Sequence, residues 1–221
     1  MYNKFLELLE RYLSPIAAKV SANHVLMAIK DAFILSMPFT VVGSLTGLVK
    51  SQGDYWFAQW GVSLDGFLGK LLSIFGNINT VAMGLVGIII VVASSYYYAS
   101  HLKLNNDKVN PIITSLVALV TYFVTIPDKI TVGTEVVSAY TINFFNYEGM
   151  FTGLIIGLLT AYIYSKLIKS KFTIKLPDSV PPMIMNSFMA IVPFFVVLLL
   201  FSTLRVVVET LGFESLQRLV A

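Results

Sequence analysis

Leu176-Pro-Asp-Ser-Val-Pro-Pro-Met-Ile-Met-Asn-Ser-Phe-Met-Ala-Ile-Val-Pro193 joins a basic linker to a long uncharged apolar run. Proline fixes φ and lacks an N–H, so Pro177, Pro181 and Pro182 stiffen an extended approach and can open a helix without continuing one. Asp178 and Ser179 beside them are the expected N-cap residues. No charged side chain falls between residues 179 and 204. At ~1.5 Å rise per residue that run exceeds the roughly 20 residues that cross a bilayer core. The stretch therefore reads as the point where the chain leaves a basic loop and enters lipid.

The whole composition agrees. Hydrophobic residues make up 57% of the chain, charged residues only 12%, and mean hydropathy is +0.80. A soluble domain, at about 45–50% apolar and about 25% charged, needs more polar surface than this sequence provides. The net charge of +3 and pI near 9.0 do not indicate nucleic acid, because the basic residues sit in loops between apolar runs. Cysteine is absent, so disulfide frameworks and thiolate metal sites are excluded. His24 and His101 are the only histidines.

Charged groups at the bilayer centre cost about 2.5–3.5 kcal/mol on insertion scales, so gaps between charges map the spans. Five gaps are long enough: residues 32–49, 71–102, 109–127, 149–165 and 179–204. Lys166 and Lys169 can snorkel, which lets the fourth helix run to about residue 168. The expectation is an all-α polytopic membrane protein with about five spans. Lys4, Arg11, Lys19, Lys30, Lys103, Lys108, Lys166, Lys169, Lys171 and Lys175 fall on one side, against Lys50, Lys70, Lys129, Arg205 and Arg218 on the other. Cytoplasmic loops collect positive residues, so the N-terminus reads as inside and the C-terminus as outside.

Residues 1–30 read as an amphipathic N-terminal segment and residues 31–221 as the five-helix membrane domain. Phe5, Leu8, Leu9, Tyr12, Ile16 and Val20 recur at helical spacing, while Lys4, Glu7 and Arg11 fall elsewhere on the wheel. That pattern fits an interfacial helix and equally a helix docked on the bundle. It is not a secretory signal, since Glu7 and Glu10 interrupt it and no basic leader precedes an uninterrupted apolar core. Asn110-Pro111 supplies a cap followed by proline at the first helical position, and Ile126-Pro127-Asp128 closes the same span. The β-branched, aromatic-rich segment between Lys129 and Glu148 suits either an external hairpin or a re-entrant piece. Tyr55, Trp56, Trp60 and Phe67 suit an aromatic belt at the headgroups, with sugar stacking as the alternative.

Gly149, Gly153 and Gly157 repeat every four residues, as do Gly43 and Gly47, giving bare faces for close helix approach. Such faces serve packing within one subunit or between two. Neither His24 nor His101 has metal-ligand spacing to another histidine. The sequence has no phosphate loop, no nucleophile-base pair and no paired carboxylates on a helix face. It therefore assigns no catalytic, cofactor-binding or metal residue, and leaves substrate-binding residues unidentified. The polar candidates within the spans are Asn77, Asn79, Tyr96, Tyr97, Tyr98, Asn186 and Ser187, all suited to interfacial anchoring or helix-helix hydrogen bonds.

Several stretches together resemble component IIC of the bacterial phosphotransferase-system permeases for lactose, cellobiose and diacetylchitobiose. They are Ala28-Ile-Lys-Asp-Ala-Phe-Ile-Leu-Ser-Met-Pro-Phe-Thr-Val-Val-Gly-Ser44, Tyr147-Glu-Gly-Met-Phe-Thr-Gly-Leu-Ile-Ile-Gly157, and the opening stretch from Leu176 to Pro193 with Ser187-Phe188. The resemblance implies a multi-pass permease of the bacterial plasma membrane that moves a β-linked disaccharide inward. Phosphorylation by a phospho-IIB partner, in a phosphoenolpyruvate-dependent system, would be coupled to that movement. It also implies that the sequence corresponds to the family's first half, associated with homodimerisation and support. The family's sugar-binding histidine and glutamate belong to the second half. No stretch matches the Gly-Ile-His-Gly type of motif that carries the histidine, so no binding residue is transferred and the chain alone is expected to be inactive. The alternative reading is a small membrane scaffold or assembly protein without transport activity.

Overall fold

Asn23 opens a long helix by accepting hydrogen bonds from the backbone N–H groups of Val25 and Leu26, at 3.0 and 3.3 Å. The computed structural model describes residues 11, 14, 15, 18, 19, 21–103, 108–170, 174, 177, 180–213 and 215–220. Helix α1 runs from His24 to Gln59, so residues 24–30 form its first turns. The chain returns as α2 (Phe67–Gly84) and α3 (Val86–Lys103), crosses as α4 (Pro111–Thr125) and turns through a hairpin of β1 (Lys129–Val132) and β2 (Glu135–Ser138). A 3-10 turn (Ile142–Phe144) leads into α5 (Tyr147–Lys169), followed by α6 (Pro182–Thr210) and the short α7 (Leu216–Val220). The apolar N-terminal face expected from Phe5, Leu8, Leu9, Tyr12, Ile16 and Val20 lies outside the described residues.

Two antiparallel units share α1. Its second half packs on α2, where side chains of α2 fill the space above α1 glycines: Met83 at Gly43, Asn79 at Gly47 and Leu72 at Gly53. Its first half packs on α3, with Ala28 and Ala32 fully buried beside Tyr98 and Ile90 respectively. The 36 residues of α1 span about 54 Å, well over the ~30 Å hydrocarbon core.

The stretch expected as one span over residues 71–102 lies within one candidate span, 67–103, which an interruption at Leu85 divides into α2 and α3. Leu85 breaks them with φ −110° and ψ 4°. The physical reason is a close approach: Gly87 N–H donates to the Phe145 carbonyl at 2.6 Å, and Ile142 lies against the bare face of Gly84. A Cβ on Gly87 would stand 2.7 Å from that carbonyl oxygen. Backbone from the loop before α5 thus occupies the position that a regular helix would fill.

The third expected span also differs in length. Helix α4 has 15 residues, about 22 Å, which is shorter than the hydrocarbon core. Its caps are those expected: Asn110 Oδ1 accepts from Ile112 and Ile113 N–H at 3.0 and 3.3 Å, with Pro111 at the first position. Ile126, preceding proline, is extended and ends the helix. Among the described residues, four helical stretches are long and apolar enough to cross a membrane: 24–59, 67–103, 147–169 and 184–210.

Helix α6 starts with Pro181 in the cap position and Pro182 inside, making no side-chain cap. Asp178 and Ser179, the expected cap residues, lie outside the described residues. The helix continues past residue 204 to Thr210 because Arg205 is neutralised, pairing with Glu209 one turn on and with Asp128 beyond α4. In the hairpin, Gly133 takes φ +65° at the first position of a two-residue loop, which a side chain would disfavour.

Helix α3 lies centrally against α1, α4 and α5, and the core is built from Val91, Val117, Ala118, Tyr122, Ile156, Tyr164 and Phe201. Several buried hydroxyls return their hydrogen bonds to their own helices, as Ser95 to Val91 at 2.8 Å and Thr121 to Val117 at 2.7 Å. Helices α1 and α6 flank this core, and large apolar side chains face outward from both. Ile34, Met37, Val41, Leu45 and Leu48 are exposed on α1, and Ile184, Phe188, Ile191, Phe195 and Leu199 on α6. Continuous apolar faces of this size suit lipid or protein rather than water.

Candidate functional site

The helices bring two polar constellations to opposite ends. One end gathers Lys30, Lys103, Lys108, Lys166 and Lys169 and is called the basic end; the other carries β1, β2 and α7 and is called the hairpin end.

At the hairpin end the site grows from the termini of α4 and α5. Asn146 caps α5, its Oδ1 accepting from Glu148 N–H at 2.7 Å, and this sets Glu148 and Gly149 on the first turn. The buried Tyr122 hydroxyl donates to the Phe144 carbonyl, with the Gly149 carbonyl 3.1 Å away as a second acceptor. That contact ties α4 to the loop that enters α5. Phe123 stacks edge-on against Tyr140 at 5.4 Å and tilts against Phe145 at 5.3 Å, which holds the same loop from the other side.

Arg205 reaches across from α6. Its Nη1 donates to the Val124 and Ile126 carbonyls at 3.2 and 2.9 Å, Nη2 to Asp128 Oδ1 at 3.0 Å, and Nε to Glu209 Oε1 at 2.7 Å. The last carbonyls of a helix lack intrahelical donors and carry partial negative charge, so a guanidinium there both satisfies and neutralises them. The Asp128 carboxyl is held below its ordinary value, chiefly by the hydrogen bond from Arg205. In the sequence Arg205 reads only as a charge on the external side. Its role depends on a contact 77 to 81 residues away in sequence, and no local signal announces it.

Between the loop, the hairpin and α7 lies a cavity of about 500 Å³. Its wall includes Lys129, Asn143, Phe144, Glu148, Gln217 and Arg218. Gln217 is 4% exposed; its amide nitrogen lies 3.4 Å from Thr125 Oγ1 and interacts with the Tyr122 hydroxyl. Its carbonyl oxygen has no hydrogen-bond partner among the described residues. A buried acceptor left unmatched costs about 1–3 kcal/mol.

At the basic end, His24 and His101 stack with ring centroids 5.5 Å apart, and His101 Nε2 lies 3.7 Å from Asp31 Oδ2. Lys30 Nζ is 3.1 Å from Asp31 Oδ1. Two histidines unrelated in sequence are thus joined because α1 and α3 run antiparallel. Among the described residues no three His, Cys, Asp or Glu side chains come together to hold a metal ion.

The other polar candidates separate. Asn79 Nδ2 donates to the Gly43 carbonyl at 2.8 Å and links α2 to α1, while Asn77 is exposed. Tyr98 is buried beside Ala28 and Ala161, Tyr96 is exposed and Tyr97 half-buried. Asn186 is half-buried and Ser187 exposed near the start of α6. Tyr55, Trp56, Trp60 and Phe67 are exposed where α1 turns into α2. Two glycines of the α5 repeat face α3, where a Cβ at Gly153 would meet Val91 at 2.7 Å and one at Gly157 would meet Ser94 Oγ at 2.4 Å, while Gly149 faces the Phe144 carbonyl and the Tyr122 hydroxyl. That repeat therefore serves packing within the subunit.

Long apolar helices with outward apolar faces and polar groups confined to their ends define a multi-span integral membrane protein. This chain belongs to the phosphotransferase system EIIC family, whose model matches residues 30–219. It is similar to the oligo-beta-mannoside-specific EIIC component of Bacillus subtilis (strain 168), 29% identical over 95% of this chain and 46% of the relative. It is also similar to the cellobiose-specific EIIC component of Geobacillus stearothermophilus, 27% identical over 99% of this chain and 49% of the relative. The lactose-specific EIICB component of Staphylococcus haemolyticus (strain JCSC1435) is 28% identical over 94% of this chain and 34% of the relative. Among solved structures, the transporter ChbC, the IIC component from the N,N'-diacetylchitobiose-specific phosphotransferase system, superposes with a TM-score of 0.80 at 25% identity. That match covers 96% of this chain and 49% of ChbC. The chain spans about half the length of the curated EIIC relatives described here.

Proposed function

We propose that these 221 residues form the supporting, subunit-pairing half of a IIC permease in a bacterial plasma membrane. The complete permease takes up a β-linked disaccharide and presents it to a phospho-IIB protein. The observation that carries this reading is the family match over residues 30–219, joined to a superposition on ChbC that covers 49% of its length. The relatives are named for cellobiose, oligo-beta-mannoside and lactose, sugars sharing a β linkage, which supports the substrate class. The name EIICB on the lactose-specific relative joins the two components in one polypeptide and supports IIB as partner. The exposed apolar faces of α1 and α6 are available for lipid and for a second copy of the chain. A scaffold without transport gains no support from relatives named as sugar-specific components.

The sequence positions the basic end in the cytoplasm and the hairpin end outside. A cysteine at Ser170 is expected to resist a membrane-impermeant thiol reagent in intact cells, while one at Ser63 reacts; the reverse pattern overturns the orientation. The transport reading is tested by radiolabelled cellobiose uptake in cells that lack their own IIC permeases. The 221 residues alone are expected to give a homodimer on detergent chromatography and no uptake above background. Saturable uptake by cells making only these residues would refute the half-permease assignment.

A further inference from the structure

Helices α4 and α6 run side by side from the basic end to the hairpin end, and two cavities follow the seam between them. The first, about 230 Å³, lies between Ile113, Leu116, Val117 and Val120 of α4 and Ile191 and Phe194 of α6. That volume is below the roughly 300–1,000 Å³ of sites for compact small molecules, so it suits a slender alkyl chain. The second, about 590 Å³, starts at the same Val120 and continues to Asp128, Tyr140, Ser202, Arg205 and Glu209. Sharing Val120 makes the two a single furrow, apolar along its length and polar at the hairpin end. Leu116 and Ile191, 55% and 50% exposed, leave it open on the outer side. From residue 113 to residue 124 the chain rises about 16 Å, close to half of the ~30 Å hydrocarbon core, which is the depth of one leaflet.

The polar end carries both signs of charge. Arg205 directs Nη1, Nη2 and Nε at two carbonyls and two carboxylates, which uses four of the five guanidinium N–H groups and leaves one on Nη2. The Asp128 and Glu209 side chains stay 50% and 41% exposed. Lys129 also bears on Asp128 but lines the cavity beside α7, so the furrow itself holds one cation against two carboxylates. Tyr140 is exposed there and held edge-on by Phe123, an aromatic suited to headgroup depth. We propose that this furrow seats one phospholipid whose zwitterionic headgroup carries a primary ammonium, as in phosphatidylethanolamine. An acyl chain lies along the apolar stretch, the phosphate accepts from the remaining Arg205 N–H, and the ammonium donates to Asp128 and Glu209. A phosphatidylglycerol headgroup brings the phosphate without the ammonium and meets an excess of carboxylate. A choline headgroup has no N–H to donate. The inference rests on the membrane character of the fold and stands apart from the permease reading.

The test titrates the 221-residue chain in detergent with dioleoyl phosphatidylethanolamine, phosphatidylglycerol or phosphatidylcholine, followed by native mass spectrometry. One saturable phosphatidylethanolamine adduct per chain is expected, about fivefold tighter than with either other lipid, the scale of an exposed ion pair. Val120→Trp fills the point where the cavities join and is expected to abolish the adduct. Ile191→Trp does the same from α6, also at an exposed position, and carries the test if Val120→Trp does not fold. Glu209→Gln keeps an acceptor for Arg205 Nε while removing a charge, and is expected to bring the ethanolamine and glycerol lipids within about twofold. Leu45→Trp, exposed on α1 and outside the furrow, is expected to leave binding unchanged. Absence of a saturable adduct, equal binding of the three lipids, or an adduct that survives both folded tryptophan variants overturns the proposal. A dimer on detergent chromatography that Val120→Trp dissociates and Leu45→Trp does not would give the furrow to a second copy of the chain and overturn it as well.

Discussion

Replacing Gly157 by alanine is expected to force α3 and α5 apart. The added Cβ would stand 2.4 Å from Ser94 Oγ and 2.8 Å from the Val91 carbonyl oxygen. The hydroxyl can rotate away, but the carbonyl belongs to the α3 backbone and cannot. Ordinary contact begins near 3.4 Å, so relief requires an opening of about 0.6 Å, the difference between 3.4 and 2.8 Å. A gap of that order forfeits a quarter to a half of the dispersion attraction along the seam, and overpacking typically costs about 1–3 kcal/mol. Against this, alanine gains about 0.5–1 kcal/mol over glycine in a helix. The net expectation is a loss of about 1 kcal/mol. Gly76 is the internal control, because a Cβ there meets only the flexible Lys50 stem at 3.4 Å or more. Gly76→Ala is expected to be neutral or stabilising, so the two variants differ by about 2 kcal/mol, or of order 5 °C in midpoint for a chain of this size. The assay is thermal unfolding in detergent, followed by circular dichroism for both variants in parallel. Equal midpoints for Gly157→Ala and Gly76→Ala would show that the α5 glycines do not set the α3 to α5 distance. The close-packing argument would then fall.

Two more outcomes follow from the hairpin end. Tyr122→Phe removes the donor to the Phe144 and Gly149 carbonyls and is expected to cost about 1–3 kcal/mol, read as an earlier thermal midpoint; an unchanged midpoint contradicts the anchoring role. Because Arg205 lowers the folded-state pKa of Asp128, the pair's contribution is full above the ordinary carboxylate value of 3.8 and is lost as pH falls through the lower folded value. Hydrogen-exchange protection at residues 124–126 and 128, taken relative to the intrinsic rate at each pH, should therefore fall at low pH in the native chain and show little such dependence in Asp128→Asn. An Asp128 carboxyl that titrates by NMR at its ordinary value rules this out.

The membrane character, the five apolar stretches and the caps on α4 were legible because they depend on local properties: runs without charge, a proline that stops a helix, an asparagine beside its first turn. Asn110 and Pro111 begin the helix where expected, and Ile126 ends it, since the residue before proline is driven extended by its own neighbours. The stretches 28–44, 147–157 and 176–193 together carry the family resemblance, and the match over residues 30–219 agrees. Helix lengths were less legible. Gly84 and Gly87 flank the break at Leu85, yet glycines inside an apolar run carry no mark of the carbonyl that will approach them.

The sequence by itself determined that this chain partitions into a membrane, since the transfer free energy of apolar side chains adds up residue by residue without reference to any partner. It also determined where several helices start and stop, because capping acts within a few residues. Only the tertiary structure decided what the remaining polar groups do. It turned Gly153 and Gly157 of α5 inward against α3, joined His24 to His101, and made Arg205 the cap of a helix some 80 residues away. It also set Gln217 in the wall of a cavity with its oxygen unmatched. Hydrogen bonds and close contacts act over a few ångströms, and residues distant in sequence come within that range only once the helices have packed.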